Sequence, residues 1–328
     1  MQETEHQPPH IDVWYGACQR FGHAGTPQRW ANLLGTVSNP ESLSSLRYTL
    51  NGSPPAALSV GPDSLRLRGE GDFNAEIPIT ALREGENEVL LAAVDVRGRR
   101  ATCAVTVDYV AGQRWPLPYA VDWVNIDSIP DAVQIVDGRW RLTPAGIRPE
   151  HAAYDRLVTL GDVSWQDYRL RVTATIHGFV NQPPPYEGLA GGLGLLFRWT
   201  GHPADGNQPS REWRPNGAIA WYRARWEDQP ARTRCLNISD AVVKDEALAE
   251  TGALELDLDR PYVYEFSVRS QPGRTSRYAY RVWPEDKPHR LLCDLAANGR
   301  EGEAPRGSIL LIALYCDVTI GNLSVDPL

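Results

Sequence analysis

From about residue 120 onward the chain is a succession of strand-length segments, most of them alternating between apolar and polar residues. They are "GRWRLTP", "YDRLVTLG", "DYRLRVTATIHGF", "GGLGLLFRWTG", "GAIAWYRARW", "YVYEFSVRS", "SRYAYRVWP" and "GSILLIALYCDVTIGNLSV". A period of two belongs to a β-strand that buries one face and exposes the other. The 26 Pro and 28 Gly are spread along the whole length, so short strands joined by turns are expected rather than long helices. Only "DAVVKDEALAE" carries a short run of helical periodicity. The expected fold class is all-β.

A chain of 328 residues exceeds the usual size of one core, which makes two domains of roughly 100 and 200 residues the natural division. The first is expected over 11–110. "SLRYTLNGSPPAALSV" has apolar alternation on both sides of Asn51-Gly52, a strong turn signal, and Gly98 separates the two strands of "NEVLLAAVDVRGRRATCAVTVDYV". About seven short strands with frequent turns form the pattern of an immunoglobulin-like sandwich. "LGTVSNPESLSSLRYTLNG" followed by "LREGENEVLLAAVDVRGRRATCAVTV" resembles the Ig-like or cadherin-like accessory domains of bacterial surface and carbohydrate-active proteins. A linker over 111–120 is expected where Pro116 and Pro118 interrupt regular structure.

The second domain is expected over 121–328. "WQDYRLRVTATI", "GLGLLFRW", "RPYVYEFSVRS", "YAYRVWPED" and "GSILLIALYCDVTIGNLSV" resemble the concanavalin A-like jelly rolls, including laminin-G-like and glucanase-like domains and the 3-keto-disaccharide hydrolase group. That resemblance implies a jelly-roll β-sandwich and a carbohydrate ligand. It does not choose an activity, because this architecture carries lectins, lyases and hydrolases alike.

Composition narrows the partners. Forty-one Asp plus Glu against 33 Lys plus Arg, with no basic run, argues against nucleic acid. No apolar run reaches the ~18 residues of a membrane span, and the polar start "MQETEHQPPH" carries no export signal, although the architecture favours an extracytoplasmic setting. Five cysteines cannot all pair within one chain, and none has zinc-site spacing. No cofactor is expected beyond a structural calcium at the jelly-roll edge, which the resemblance to carbohydrate-binding modules would assign to Asp127 or Asp326. Eleven Trp and 13 Tyr against five Phe favour rings with a polar handle, which suit stacking surfaces and large β cores alike.

Three constellations could carry function. In "ALELDLDRPYVYEFSV", Glu255, Asp257 and Asp259 stand at alternate positions, as the catalytic acids of laminarinase-type glucanases do. Retaining hydrolysis needs two carboxyls ~5 to 5.5 Å apart, whereas the ends of this row would lie ~13 Å apart on a regular strand. The Arg260-Pro261 step also ends the strand, so the row reads as a solvent face backed by Leu254, Leu256 and Leu258. A polysaccharide lyase needs a base, a proton donor and a cation, and His177, Tyr278, Tyr280, Arg223, Arg225 and Arg281 supply those types on strands.

The third constellation is a binding surface. Tyr186, Trp199, His202, Trp213, Trp221, Tyr222 and Trp226 are interleaved with Arg198, Arg211, Arg214, Arg223 and Arg225. Rings stack on sugar faces while guanidinium and amide groups meet the hydroxyls. Strand parity sets Trp221, Arg223 and Arg225 on one face of "AIAWYRARW" and Tyr222 and Trp226 on the other. The arginine face, joined by Arg198 on the neighbouring strand, is expected to be the groove, because burying unpaired guanidinium groups costs too much. Loop acids Glu187, Asp205, Glu212, Glu227 and Asp228 could serve as acid or base if they converged there.

The resulting expectation is polysaccharide or oligosaccharide recognition by the concave face of the jelly roll. The binding set is Tyr186, Arg198, His202, Trp213, Trp221, Arg223, Arg225 and Arg281. Glu187, His177 and Tyr280 are the residues that glycoside hydrolase or lyase chemistry would use. The alternative is a structural or adhesive protein without catalysis.

Overall fold

The computed structural model of the protein describes residues 7–63, 65–180, 191–224, 233–243, 246–273 and 275–328. The protein is all-β and divides into two compact units. The first comprises Met1–Ala24, Arg29–Gln113 and His202–Glu212; the second comprises Gly25–Gln28, Arg114–Gly201 and Trp213–Leu328. The expected division at 111–120 cuts the chain once. The two units instead interleave, with Gly25–Gln28 assigned to the second and His202–Glu212 to the first.

In the first unit, β1 (Ile11–Val13), β2 (Cys18–Phe21), β3 (Trp30–Val37), β4 (Leu43–Leu50), β5 (Ala56–Ala57), β6 (Asp72–Pro78), β7 (Gly85–Asp95) and β8 (Arg100–Tyr109) form two sheets. Their orders are β1-β3-β6 and β2-β8-β7-β4-β5, and only the β2–β8 pair is parallel. Alternation in β7 turns Val89, Leu91 and Ala93 inward, where they meet Leu33, Phe73, Ile77, Val105 and Val107. Each buried Val, Leu, Ile or Phe among them contributes about 1.5–3 kcal/mol. The Asn51-Gly52 signal is a tight turn with φ of 50° and 76° and a Ser53 N–H to Leu50 carbonyl bond of 2.9 Å. Two successive positive φ values match the twist of a hairpin, and Asn and Gly tolerate them.

Segment His202–Glu212 is held in this unit by a buried ion pair. Arg66 and Glu76, 2% and 1% exposed, are joined by a 2.8 Å bond. Arg66 also donates to the Ser210 carbonyl, and Glu76 accepts from the Ser210 N–H at 2.8 Å. The Gln208 side chain pairs with the Glu76 backbone in both directions, and the Trp30 indole donates to the His202 carbonyl. Substituting Glu76→Gln withdraws the counter-charge from a buried guanidinium. We expect a loss of about 3–5 kcal/mol in urea unfolding, far more than an exposed pair would give.

His202 is fully buried, and burial, reinforced by the Arg66 and Arg29 charges, holds its imidazole pKa well below the ordinary value. The folded state therefore keeps His202 neutral, and unfolding lets it take up a proton below about pH 6.5. Its contribution is complete above that pH and declines as the pH falls toward the depressed folded value. Urea midpoints measured from pH 7.5 to 5 should fall with acidification, and less steeply in His202→Gln.

The second unit begins with β9 (Tyr119–Val121), β10 (Gln134–Asp137), β11 (Trp140–Thr143), β12 (Gly146–Pro149) and β13 (Arg156–Leu160). There follow β14 (Tyr168–Phe179), β15 (Gly192–Trp199), β16 (Ile219–Ala224), β17 (Arg234–Ser239) and β18 (Ala247–Glu250). It ends with β19 (Pro261–Ser270), β20 (Ser276–Pro284), β21 (Cys293–Asn298), β22 (Ser308–Leu314) and β23 (Cys316–Pro327). A seven-stranded sheet runs β10-β13-β22-β15-β16-β17-β18 and an eight-stranded one β11-β12-β23-β14-β19-β20-β21, with β9 paired to β23. Tyr315 alone, at φ 45°, separates β22 from β23, so the chain changes sheet within one residue. Two antiparallel sheets with side chains packed between them make this unit a β-sandwich.

Aromatic rings fill the space between the sheets. Ring centroids lie 4.8 Å apart for Tyr168–Phe197, 4.4 Å for Phe197–Phe266 and 5.7 Å for Phe266–Tyr278. Several phenols leave this core through hydrogen bonds. Tyr168 donates toward the Gly307 and Ser308 carbonyls, Tyr278 donates to Glu303, and the Tyr222 oxygen accepts from the Leu256 N–H. Much of the Tyr excess thus serves packing, where a buried hydroxyl needs a partner.

Two local expectations change. "DAVVKDEALAE" contains no helix among the described residues; Ala247–Glu250 is an edge strand paired with β17. "ELDLD" is irregular chain ahead of β19, and although Leu256 is buried, Leu258 is 51% exposed. Hydrogen bonds to Tyr222, Tyr262 and the Ile176 carbonyl shape this segment in place of a strand ladder.

Candidate functional site

The face of the seven-stranded sheet turned away from the eight-stranded one brings Trp221 and Arg223 together. On β16 these two alternate with Ala220, Tyr222 and Ala224. Trp221 stands opposite Gly194 and Asn237, and Arg223 opposite Gly192 and Cys235. A Cβ on Gly194 would lie 2.6 Å from the Trp221 ring, so the missing side chain is what lets the indole lie flat across β15. Much of this face is apolar and buried: Leu157, Leu196, Leu310, Ile312 and Leu314 join Trp199 and Trp221, with Trp213 and Tyr154 packed half-buried against them.

Polar groups cluster at one end of this apolar floor. The Arg223 guanidinium carbon is 5.4 Å from the Trp221 ring centroid, and its Nη2 donates to Ser239 Oγ at 3.2 Å. Ser239 Oγ in turn donates to Asn237 Oδ1 at 3.3 Å. Trp221 is 6% exposed, and its buried Nε1 has no hydrogen-bond partner among the described residues. A ring, a cation, an amide and a hydroxyl from two adjacent strands are therefore side by side, with one indole donor unsatisfied. On the opposite face of β16, Tyr222 turns toward the inter-sheet core, and burial pushes its phenol up to about 12.

The remaining expected residues are dispersed. Arg198 was expected beside Trp221, but a register shift between Phe197 and Trp199, with Arg198 at φ 54°, redirects it. Its guanidinium, 2% exposed, bonds to Ser276, Ser270 and the Gln166 carbonyl and stands 4.0 Å from Glu303. A bulge reverses the parity on which the expectation rested. His202, Asp205 and Glu212 belong to the first unit. Tyr186, Glu187 and Arg225, with Trp226, Glu227 and Asp228, lie outside the described residues.

The lyase set is not assembled. Tyr280 points into the inter-sheet core, where burial, with Tyr264, Cys293 and Cys235 adding, drives its phenol well above the ordinary value. His177 and Arg281 stand on the outer face of the eight-stranded sheet. Arg281 belongs there to an ion ladder, bonded to Asp294 at 3.0 Å and 3.9 Å from Glu265, which also binds Arg171 at 2.7 Å. Arg223 is on the other sheet. The described members of that set are thus divided among the inter-sheet core and the outer faces of both sheets.

The acids of the opening row have separate partners. Asp257 meets Arg260 at 3.0 Å, and Asp259 Oδ1 lies 2.6 Å from His177 Nδ1. Asp326 pairs with Arg169 at 3.4 Å and Asp127 is exposed. Among the described residues no group of three or more His, Cys, Asp or Glu is placed to hold a metal. All five cysteines are free thiols, three of them buried. One grouping was missed by sequence reasoning: His177 Nε2 is 2.8 Å from Thr319 Oγ1, a residue in which no local pattern draws attention.

No family model matches the chain, and no curated protein matches it. Solved structures give only distant likenesses. An endo-beta-1,4-mannanase from Thermotoga petrophila is 10% identical with a TM-score of 0.25, covering 32% of this chain, which spans 20% of that enzyme. The Ca2+/Man-bound exoplasmic/lumenal domain of VIP36 is 15% identical with a TM-score of 0.40, covering 58% of this chain and 81% of its own. A mutant alginate lyase in complex with alginate trisaccharide is 12% identical with a TM-score of 0.38, covering 65% and 99%. Among the described residues no helix is long and apolar enough to cross a membrane.

The seat of Trp221 on Gly194 can be tested directly. Gly194→Val should force the indole off the sheet, cost about 1–3 kcal/mol in thermal unfolding, and shift the tryptophan emission to longer wavelength as the ring gains solvent.

Proposed function

We propose that the second unit recognises a polysaccharide or oligosaccharide on the Trp221 face of its seven-stranded sheet, and that it belongs among the concanavalin A-like jelly rolls. The observation that carries this reading is the unsatisfied Trp221 Nε1 beside Arg223, Asn237 and Ser239. A buried N–H without an acceptor costs about 1–3 kcal/mol, which a sugar hydroxyl oxygen would recover on binding. Guanidinium, amide and hydroxyl groups bond to sugar hydroxyls, while the indole supports an apolar ring face. Trp213 and Tyr154, packed half-buried on the same cluster, form the rim that a ligand meets first.

This chemistry favours binding over cleavage, because the groups gathered beside Trp221 are hydrogen-bonders rather than paired acids. The first unit, a separate sandwich of three- and five-stranded sheets, fits the role of an Ig-like accessory domain.

The test is a glycan array on the full chain, followed by titration calorimetry on any hit. Reducing-sugar release and 235 nm absorbance would be measured on the same polysaccharides. Binding without turnover is expected. Trp221→Phe, which removes only the N–H and the outer ring, should weaken binding about five- to tenfold, consistent with one lost hydrogen bond of ~1 kcal/mol plus contact area. Asn237→Ala should do so by a similar factor. Absence of binding across a broad panel would overturn the carbohydrate reading.

A further inference from the structure

The outer face of the eight-stranded sheet carries a second constellation, independent of the Trp221 face. Asp259 Oδ1 lies 2.6 Å from His177 Nδ1, and His177 Nε2 lies 2.8 Å from Thr319 Oγ1. Carboxylate, imidazole and hydroxyl thus form one continuous line of hydrogen bonds. We infer that Asp259, His177 and Thr319 form a hydroxyl-activating triad that cleaves small carboxylic esters.

The order of bonds assigns the roles. Asp259 accepts the Nδ1 proton, which leaves Nε2 of the neutral ring to accept from Thr319, so the ring is held in the tautomer a general base requires. Asp259 is pinned twice: its carboxylate meets His177, while its backbone N–H donates to the Ile176 carbonyl at 2.8 Å. It adopts φ 58°, a left-handed conformation that Asp tolerates better than most residues and that aims the carboxylate back at the strand. His177 sits where the β14–β23 register shifts between Ile176 and Gly178, which turns the ring toward Thr319.

The charged neighbours are Asp317 and Arg148. Asp317, two residues before Thr319 on β23, binds Arg148 of β12 through both carboxylate oxygens, at 2.6 and 2.5 Å. Those bonds, together with the Asp317 and Asp259 charges, raise the Arg148 pKa, so a guanidinium is fixed within the field of the triad. Thr319 keeps only 7% of its surface exposed, so a short acyl group reaches its hydroxyl more easily than a long one.

The reaction balances with water as the only co-reactant. Thr319 Oγ attacks the ester carbonyl carbon as its proton passes to His177 Nε2. The bond from that carbon to the alcohol oxygen breaks, and His177 returns the proton to the leaving alkoxide. Water, deprotonated by His177, then releases the carboxylic acid and restores the Thr319 hydroxyl.

The experiment uses the full chain with p-nitrophenyl acetate and p-nitrophenyl octanoate, and intact-mass detection of covalent labelling by a fluorophosphonate. Hydrolysis of the acetate at least tenfold faster than the octanoate is expected, with one label per chain. Thr319→Val, which preserves the β-branched shape, should abolish labelling and turnover, while Thr319→Ser retains both. Asp259→Asn should reduce turnover at least tenfold. His177→Gln should reduce turnover at least tenfold. Thr175→Ala, which removes the hydroxyl opposite Thr319 in the ladder, should leave the rate unchanged. Acetate hydrolysis equal in the parent and in a Thr319→Val variant with parental near-UV circular dichroism would overturn the inference, as would absence of labelling.

Discussion

The second unit depends on burying tyrosine and phenylalanine between two sheets, with Tyr168, Tyr222 and Tyr278 each given a hydrogen-bond partner. Tyr168, Phe197, Phe266 and Tyr278 bring rings from both sheets into one row, and the phenols reach the rim of the core to find Glu303, backbone carbonyls and backbone N–H groups. Once these rings occupy the interior, the period of two dictates everything on the outside. Residues alternating with Tyr222 on β16 face away from the core, which is why Trp221 and Arg223 meet Gly194 and Gly192. Residues alternating with Ile176 on β14 do the same on the other sheet, which is why His177 reaches Thr319.

The two outer faces are chemically different for the same reason. On the seven-stranded sheet, Leu196, Leu310, Ile312 and Trp199 make a buried apolar layer with a small polar end. On the eight-stranded sheet, Arg171, Glu265, Arg281 and Asp294 form an ion ladder in which each charge already has a partner. Glu265 itself is buried, while the arginines it pairs with reach solvent. The effect of these pairs is to satisfy the face electrostatically, so His177 with Asp259 and Thr319 stands apart as a hydrogen-bonded line through an imidazole.

Much of the architecture was legible from residue order. The alternating segments imply an all-β chain of sandwich type, Asn51-Gly52 implies its tight turn, and parity separates Trp221 and Arg223 from Tyr222. Arg198 was not legible, because a bulge adds a residue locally and no composition signal marks it. Nor was the membership of His202, whose segment joins the first unit through the Arg66–Glu76 pair more than 120 residues away in sequence. "ELDLD" carried a strand-like pattern, but its Leu256 and Asp257 N–H groups donate to the Tyr222 and Tyr262 oxygens instead of to a ladder.

The amino-acid sequence by itself determined the fold class, the strand faces and the chemistry available on each, since these follow from local alternation and turn residues. Tertiary structure alone decided which side chains became neighbours. Thr319 and His177 lie 142 positions apart, and only the pairing of β14 with β23 brings their polar atoms within hydrogen-bond distance. Local pattern encodes which face a residue takes; the register between distant strands, set by how the rings pack between the sheets, encodes what it meets there.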